Sequence, residues 1–405
     1  MNNKSLRESS FLEKYSRIGS ALVIFWYLTL CLVQYFYQRP LWNDEAAVFA
    51  SIQSFDSLDF FRKTLEMWQV FPRVYLFIIQ KISKPFSFHL LSLRLPAFIC
   101  MLTGFCIWLK IAKYEIKNSL DYFIFVLSWA ASSVLVYYSS ELKPYSMDVL
   151  TASIFILFLY NQKYLESHFS KGNYCLLLCL LPILGLLSYP AFLFMMFPLY
   201  NLVLTWKTDK KFLLCIVSYV IVLGAVTLFA YFFDMRLKPT EAVTTGFGDY
   251  FISFESTEEF FKTFGEGTMN LFSRWFGEKP RIIKKIAIFF LTFGLLNMVY
   301  SFFMNIKKDR YRLESLHTIA FIVFFELFIL GALKKYPFSI PRTSLFFCPI
   351  VLFLSLKGIG RVERINKGVF QIIRGVYIVF LLIMIFLLTR VVFTGNLTPI
   401  PLLWG

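Results

Sequence analysis

Long apolar runs alternate with short polar connections along almost the whole chain. A run of roughly 20 residues with few charges has the length of a helix that crosses a hydrocarbon core. The runs at 18–37, 91–112, 120–138, 147–164, 174–187, 191–206, one ending near 233, then 286–304, 316–333, 345–356 and 369–393 predict about 11 spans. The expectation is an all-α polytopic membrane protein, forming a single transmembrane domain over 1–405.

The connections carry the topology. Lysines and arginines gather at every second one: Lys4, Arg7, Lys14 and Arg17; Lys110–Lys117; Lys163 and Lys171; Lys207, Lys210 and Lys211; Lys307, Lys308, Arg310 and Arg312; Lys357, Arg361, Arg364 and Lys367. Such clusters mark the cytoplasmic side, which puts the N-terminus in and the C-terminus out. Two long connections, 39–91 and 234–283, then fall on the outer side, where they are expected to cap a site. Residues 57–71 are too polar to span but amphipathic, and are expected to lie as helices at the membrane surface. The first run ends in Tyr35-Phe36-Tyr37-Gln38-Arg39 with no small-residue cleavage site, so it reads as a retained helix rather than a signal peptide.

Composition agrees with this reading. Of 405 residues, 58% are hydrophobic and only 16% charged, where a soluble domain carries about a quarter charged. The net charge of +16 sits in short loops beside apolar runs and not on an aromatic-basic module, which argues against nucleic acid as a partner. The seven cysteines all lie within or beside apolar runs without ligand spacing, and read as small buried hydrophobes.

The polar residues that remain group at the outer connections. Asp44 and Glu45 follow the first span and admit two readings. One is a helix start, with Asn43 or Asp44 capping and Glu45 in the first turn. The other is a general base that takes a proton from an acceptor hydroxyl. Both can hold together, since capping fixes a carboxylate in place. Glu141, Lys143, Tyr145 and Asp148 open the fourth span. Lys143 and Tyr145 fit interfacial anchors as well as a site, whereas Asp148 sits about one turn inside the apolar run, where an ionised carboxylate is costly and usually paired.

Lys334, Lys335 and Arg342 place three cations in an outer loop, where the inside-positive bias predicts few. They read either as snorkelling anchors or as holders of a lipid-linked phosphate, whose departure as a leaving group fixed cations would assist. Glu326, mid-way along the ninth run, is expected to pair with one of these cations or with Arg94. No Gly-x-Gly-x-x-Gly or phosphate-loop motif is present, which suits a donor already linked to lipid.

In order along the chain, Asp44-Glu45, Leu93-Arg94-Leu95-Pro96, the stretch from Glu141 to Asp148, and Tyr336-Pro337-Phe338 with Arg342 resemble the C-type superfamily of integral membrane glycosyltransferases. The likeness is to the protein mannosyltransferase and lipid A aminoarabinose transferase branch. The resemblance implies a polyprenyl-phosphate sugar donor and an inverting hexosyl or pentosyl transfer on the outer face, in a bacterial inner membrane. The acceptor would be a glycan, lipid or protein hydroxyl. The resemblance further implies Asp44 as base, Glu45 supporting it, Lys143, Tyr145 and Arg342 on the carrier phosphate, Arg94 as a brace and Asp148 as a second acid.

The chain departs from that branch in one place. Relatives have a lysine directly before the proline of the first outer loop, where this chain has Phe71 before Pro72; Arg73 or Lys63 stands in for it. Asn43-Asp44-Glu45 is not the Asp-x-Asp metal motif of the oligosaccharyltransferases, so no metal cofactor is expected. The competing readings are a transporter or flippase of lipid-linked sugars, disfavoured by the absence of a repeat halving the chain, and a polysaccharide polymerase.

Overall fold

The computed structural model describes residues 3–237, 248–276, 281–306, 315–395 and 397. Among these the regular structure is helical throughout. Helix α1 (Asn3–Phe36) ends where Gln38 takes a left-handed conformation ahead of Pro40. The outer connection follows, with α2 (Asn43–Ser54) and α3 (Arg73–Ser83). Then come α4 (Leu90–Glu115), α5 (Ser119–Ala130) and α6 (Ser133–Tyr137). The next group is α7 (Tyr145–His168), α8 (Lys171–Ile183), α9 (Met196–Thr208) and α10 (Leu213–Phe233). Short α11 (Thr257–Phe260) and α12 (Gly267–Ser273) lead to α13 (Arg281–Ile306), α14 (Leu316–Ala332), α15 (Cys348–Val362) and α16 (Lys367–Phe393).

Every apolar run read from the sequence is helical over most of its length. Among the described residues, seven helical stretches are long and apolar enough to cross a membrane, and eight if α5 and α6, bent by 62°, form one broken span. The other three runs are α7, with its polar first turn, and the shorter apolar helices at Lys171–Leu186 and Leu316–Ala332. By length and composition the helices thus give fewer clear spans than the 11 expected.

Burial differs among them in a way that locates the centre. The window over Leu345–Val362 is 78% buried against 22% for Lys210–Phe233, so α15 is a central helix and α10 presents most of its surface to lipid. Helix α13 lies along α15, close enough that a Cβ on Gly358 would collide with the carbonyl of Phe293. Small residues permit this approach between membrane helices. Around α15, Trp108, Trp129, Phe125 and Phe353 pack edge and face, burying large rings where α4, α5 and α15 meet.

The first outer connection differs from the expectation in detail. Residues 57–71 hold two single 3-10 turns, Asp59–Phe61 and Glu66–Trp68, while the regular helices flank them. Asp59 explains part of this, because its carboxylate accepts from the Asp56 backbone N–H at 3.2 Å and from Lys63 at 3.0 Å, local bonds that compete with helix. Helix α3 is the amphipathic piece. It packs on α4, and Gln80 donates to the carbonyls of Ile52 and Phe55 at the end of α2. Of the second outer connection, 238–247 and 277–280 lie outside the described residues. Within the rest, Tyr250 accepts from the backbone N–H of Phe338 at 3.0 Å, bracing the loop that carries Arg342.

Candidate active site

The C-terminal end of α1 and the N-terminal ends of α4, α7 and the Leu345–Val362 stretch lie at one end of the bundle, and charged side chains collect there. Trp42 occupies the N-cap position of α2 without a side-chain cap bond. Neither Asn43 nor Asp44 therefore caps the helix; both lie in its first turn with Glu45. The two acids point their oxygens at different partners.

Glu45 is the inner one. It is fully buried, and its Oε2 accepts from Arg39 at 2.7 Å and from Arg94 at 3.0 Å. Its Oε1 accepts from the backbone N–H of Leu142 at 2.9 Å. Arg94 also donates to the carbonyl of Arg39 at 2.8 Å, and Arg39 lies 4.5 Å from the centre of the Tyr137 ring. One carboxylate thus ties together the loop after α1, the start of α4 and the loop before α7. A buried charge is tolerated when it is paired and hydrogen-bonded in this way.

Asp44 is the outer one. Its Oδ2 accepts from Lys143 at 2.7 Å and from Arg342 at 2.8 Å, while 23% of its side chain stays exposed. Among the described residues its other oxygen, Oδ1, receives no hydrogen bond. Lys143 and Arg342, 199 positions apart, meet over one aromatic platform. Lys143 Nζ lies 4.5 Å from the centre of the Trp42 ring and Arg342 Cζ lies 5.5 Å from it. Phe71 and Tyr145 add further ring faces around Lys143 at 5.4 and 5.9 Å. Cation–π attraction of this kind strengthens when the cation is desolvated, as both are here.

The electrostatics follow from one carboxylate being shared by two cations. Burial pushes the Asp44 carboxyl up, but Lys143 and Arg342 outweigh it and hold it below the ordinary aspartate range. Lys143 moves down as well, to about 8, although it is ion-paired. Burial is the larger reason and the adjacent Arg342 charge the second, and together they exceed what Glu141 and Asp44 give back. Glu141 is fully buried, and neither of its oxygens has a hydrogen-bond partner among the described residues. Burial, and then the Glu45 charge, push its carboxyl up to about 7.

Five other residues singled out from the sequence each fall in a different setting. Tyr145 is buried beside Lys143, its ring 5.2 Å from that of Tyr138. Asp148 accepts from Ser188 at 2.7 Å, one turn into α7. Arg73 does not reach Asp44: its Nε donates to Asp234 at 3.2 Å and a terminal nitrogen donates to the Lys63 carbonyl at 2.9 Å. Tyr189 also donates to Asp234. Arg73 and Asp234 are both buried, so this pair latches α3 to the end of α10. Lys335 is exposed, and from its loop it is Arg342 that turns inward. Glu326 pairs with none of the expected cations; its Oε2 is buried without a partner among the described residues, and Arg94 is committed to Glu45.

Sequence reasoning passed over Trp42 and Arg39. Both lie within five residues of Asp44, and a tryptophan immediately before a helix that opens on two acids was the available signal. The described residues contain no group of three or more His, Cys, Asp or Glu side chains placed to hold a metal ion. The arrangement offers a half-open carboxylate backed by two desolvated cations on a rigid aromatic base.

No family model and no curated protein matches the sequence. Among solved structures, the fold is similar to that of ArnT from Cupriavidus metallidurans, crystallised with undecaprenyl phosphate bound, with a TM-score of 0.51 at 12% identity. The match covers 87% of this chain and 62% of that one, so the chain spans less than two thirds of ArnT's length. At that identity the likeness is one of fold: the chain has an ArnT-like, all-helical polytopic architecture.

Proposed function

We propose that this protein is a glycosyltransferase that moves a sugar from a polyprenyl-phosphate donor to an acceptor hydroxyl, with inversion, at the outer face of a bacterial inner membrane. The observation that carries the reading is Asp44: one carboxylate oxygen held by two buried cations from distant segments, the other open toward solvent. The fold shared with ArnT supports it, since that protein was crystallised with a polyprenyl phosphate. The alternation of basic loops along the sequence supports the outward orientation.

In this reading Oδ1 of Asp44 accepts the acceptor's proton as the acceptor oxygen forms its bond to the anomeric carbon. The bond from that carbon to the phosphate oxygen breaks on the opposite side, and its electron pair leaves with the phosphate. Negative charge builds on the leaving oxygen, and Lys143 and Arg342 stabilise it with charges fixed before the reaction begins. Those two cations supply what a divalent ion would otherwise bring, so the proposal includes no metal cofactor. Glu45, through Arg39, Arg94 and the Leu142 N–H, keeps the first turn of α2 and the Lys143 loop in register. We assign a capping role around this site to the connection 39–91 and to the described residues of 234–283, namely 234–237, 248–276 and 281–283.

The test is transfer itself. Purified protein in lipid is supplied with a polyprenyl-phosphate sugar and cell-envelope acceptors, and the products are read by mass spectrometry. A new glycosidic bond with release of polyprenyl phosphate is the expected result. Sugar-dependent flux across vesicles without any new bond would replace this reading with a transporter, and long polymeric products would replace it with a polymerase.

A further inference from the structure

Lys143 and Arg342 are already engaged in this structure, and their partner is the group assigned as the base. Both meet the same oxygen of Asp44, at 2.7 and 2.8 Å. Neither swings freely, because Lys143 keeps 1% and Arg342 9% of its side-chain surface exposed and both rest against the Trp42 ring. A phosphate oxygen asks for the same contacts from the same nitrogens, at roughly 2.7–2.9 Å. The pair also has capacity to spare: Nε of Arg342 is buried without a partner among the described residues, and an ammonium carries three donors. A phosphate that displaces Asp44, or one that shares the cations with it, places a second anion on the same positive charge. In either case each anion weakens the hold on the other, and the coupling is reciprocal.

We propose that the donor phosphate and Asp44 compete for Lys143 and Arg342. Asp44 serves as the internal counter-ion of the two cations and is released to act as a base only when a phosphate takes over the pair. This deepens the glycosyltransferase reading and rests on it. A carboxylate gripped by two cations is a poor proton acceptor, and one relieved of them is a better one. The site therefore assembles its base in response to its donor, while Trp42 keeps the two cations converged throughout. Trp42 acts here as a positioning residue.

The experiment is equilibrium binding of a polyprenyl monophosphate to the full chain in lipid nanodiscs, comparing wild type with Asp44→Asn and Asp44→Ser. Folding of each is checked by circular dichroism and size exclusion. Removing a favourable contact ordinarily weakens binding, whereas competition predicts the opposite. Both variants should bind about tenfold more tightly or better, the worth of one charge-assisted hydrogen bond. Most of that gain should vanish when Lys143→Met is added, because the contested cation is then gone. Inorganic phosphate should raise the thermal midpoint of Asp44→Asn by more than that of wild type. Equal or weaker binding by either folded variant overturns the competition while leaving the donor reading in place. Failure of wild type and variants alike to bind the polyprenyl phosphate removes the donor reading, and this inference with it.

Discussion

Arg94 donates to Oε2 of Glu45 across 3.0 Å, with 1% of the one side chain and none of the other exposed. The bond joins residues 49 positions apart and closes the start of α4 onto the first turn of α2. Removing one partner of such a pair strands a buried charge, at a cost of about 3–5 kcal/mol. Glu45→Gln and Arg94→Met should each lower the thermal midpoint of the solubilised protein, and the double variant should lose clearly less than the two losses added. Strict additivity would mean that the two side chains stand together without interacting.

Asp44 should behave differently, because nearly a quarter of its side chain is open and no second carboxylate depends on it. Asp44→Asn should fold normally and lose about 10²- to 10⁴-fold in kcat, the usual worth of a positioned base. KM for the lipid-linked sugar should not rise. Full retained transfer would remove Asp44 from the base role.

Glu141 makes a prediction about stability and pH. Its carboxyl is raised from an ordinary 4.5 to about 7 in the fold, by burial first and by Glu45 second. Between those values the folded chain keeps a proton that the unfolded chain has lost, so stability falls as pH rises through the window. The protein should be more stable near pH 5 than near pH 8, by an amount on the order of 2 kcal/mol from this group. Glu141→Gln, neutral at every pH, should flatten that slope in denaturation midpoints taken from pH 4.5 to 8. An unchanged slope would assign the dependence to another group.

How much of this was visible beforehand depends on how each residue makes itself conspicuous. Asp44, Arg94, Glu141, Lys143 and Arg342 stand out as charges at or beside the ends of apolar runs, where desolvation makes an idle charge expensive. That one end of the bundle gathers them follows from the alternation of basic loops. Partner choice was not legible. Glu326 looked set to pair with an outer-loop cation or with Arg94, but Arg342 is held by Asp44 and Arg94 lies beside the first turn of α2 and is taken by Glu45. Arg73 looked like a stand-in for a missing lysine, yet its partner is Asp234, 161 positions away at the far end of α10. Trp42 gave only a positional signal, a tryptophan immediately before a helix that opens on two acids, which an ordinary interfacial aromatic at the end of a span also gives; only the tertiary contact sets two cations on its face.

Lys143 supplies the last prediction. Burial first, and Arg342 second, bring its ammonium down to about 8, so it is charged below that pH and neutral above it. A sugar bound through a polyprenyl phosphate is a diester whose single charge does not change in this range, so its affinity should be flat at neutral pH and fall as pH rises through 8. The released polyprenyl phosphate is a monoester, which gains its second charge near pH 6. Its affinity should climb through pH 6 before falling through the same upper limit, giving a bell where the donor shows one limb. Lys143→Arg keeps a cation at every pH in this range and should abolish the fall above 8 for both ligands. Binding isotherms from pH 5 to 9.5 decide it: an upper limb that survives in Lys143→Arg belongs to some other group, and a bell for the donor would mean that the phosphate is not held as a diester.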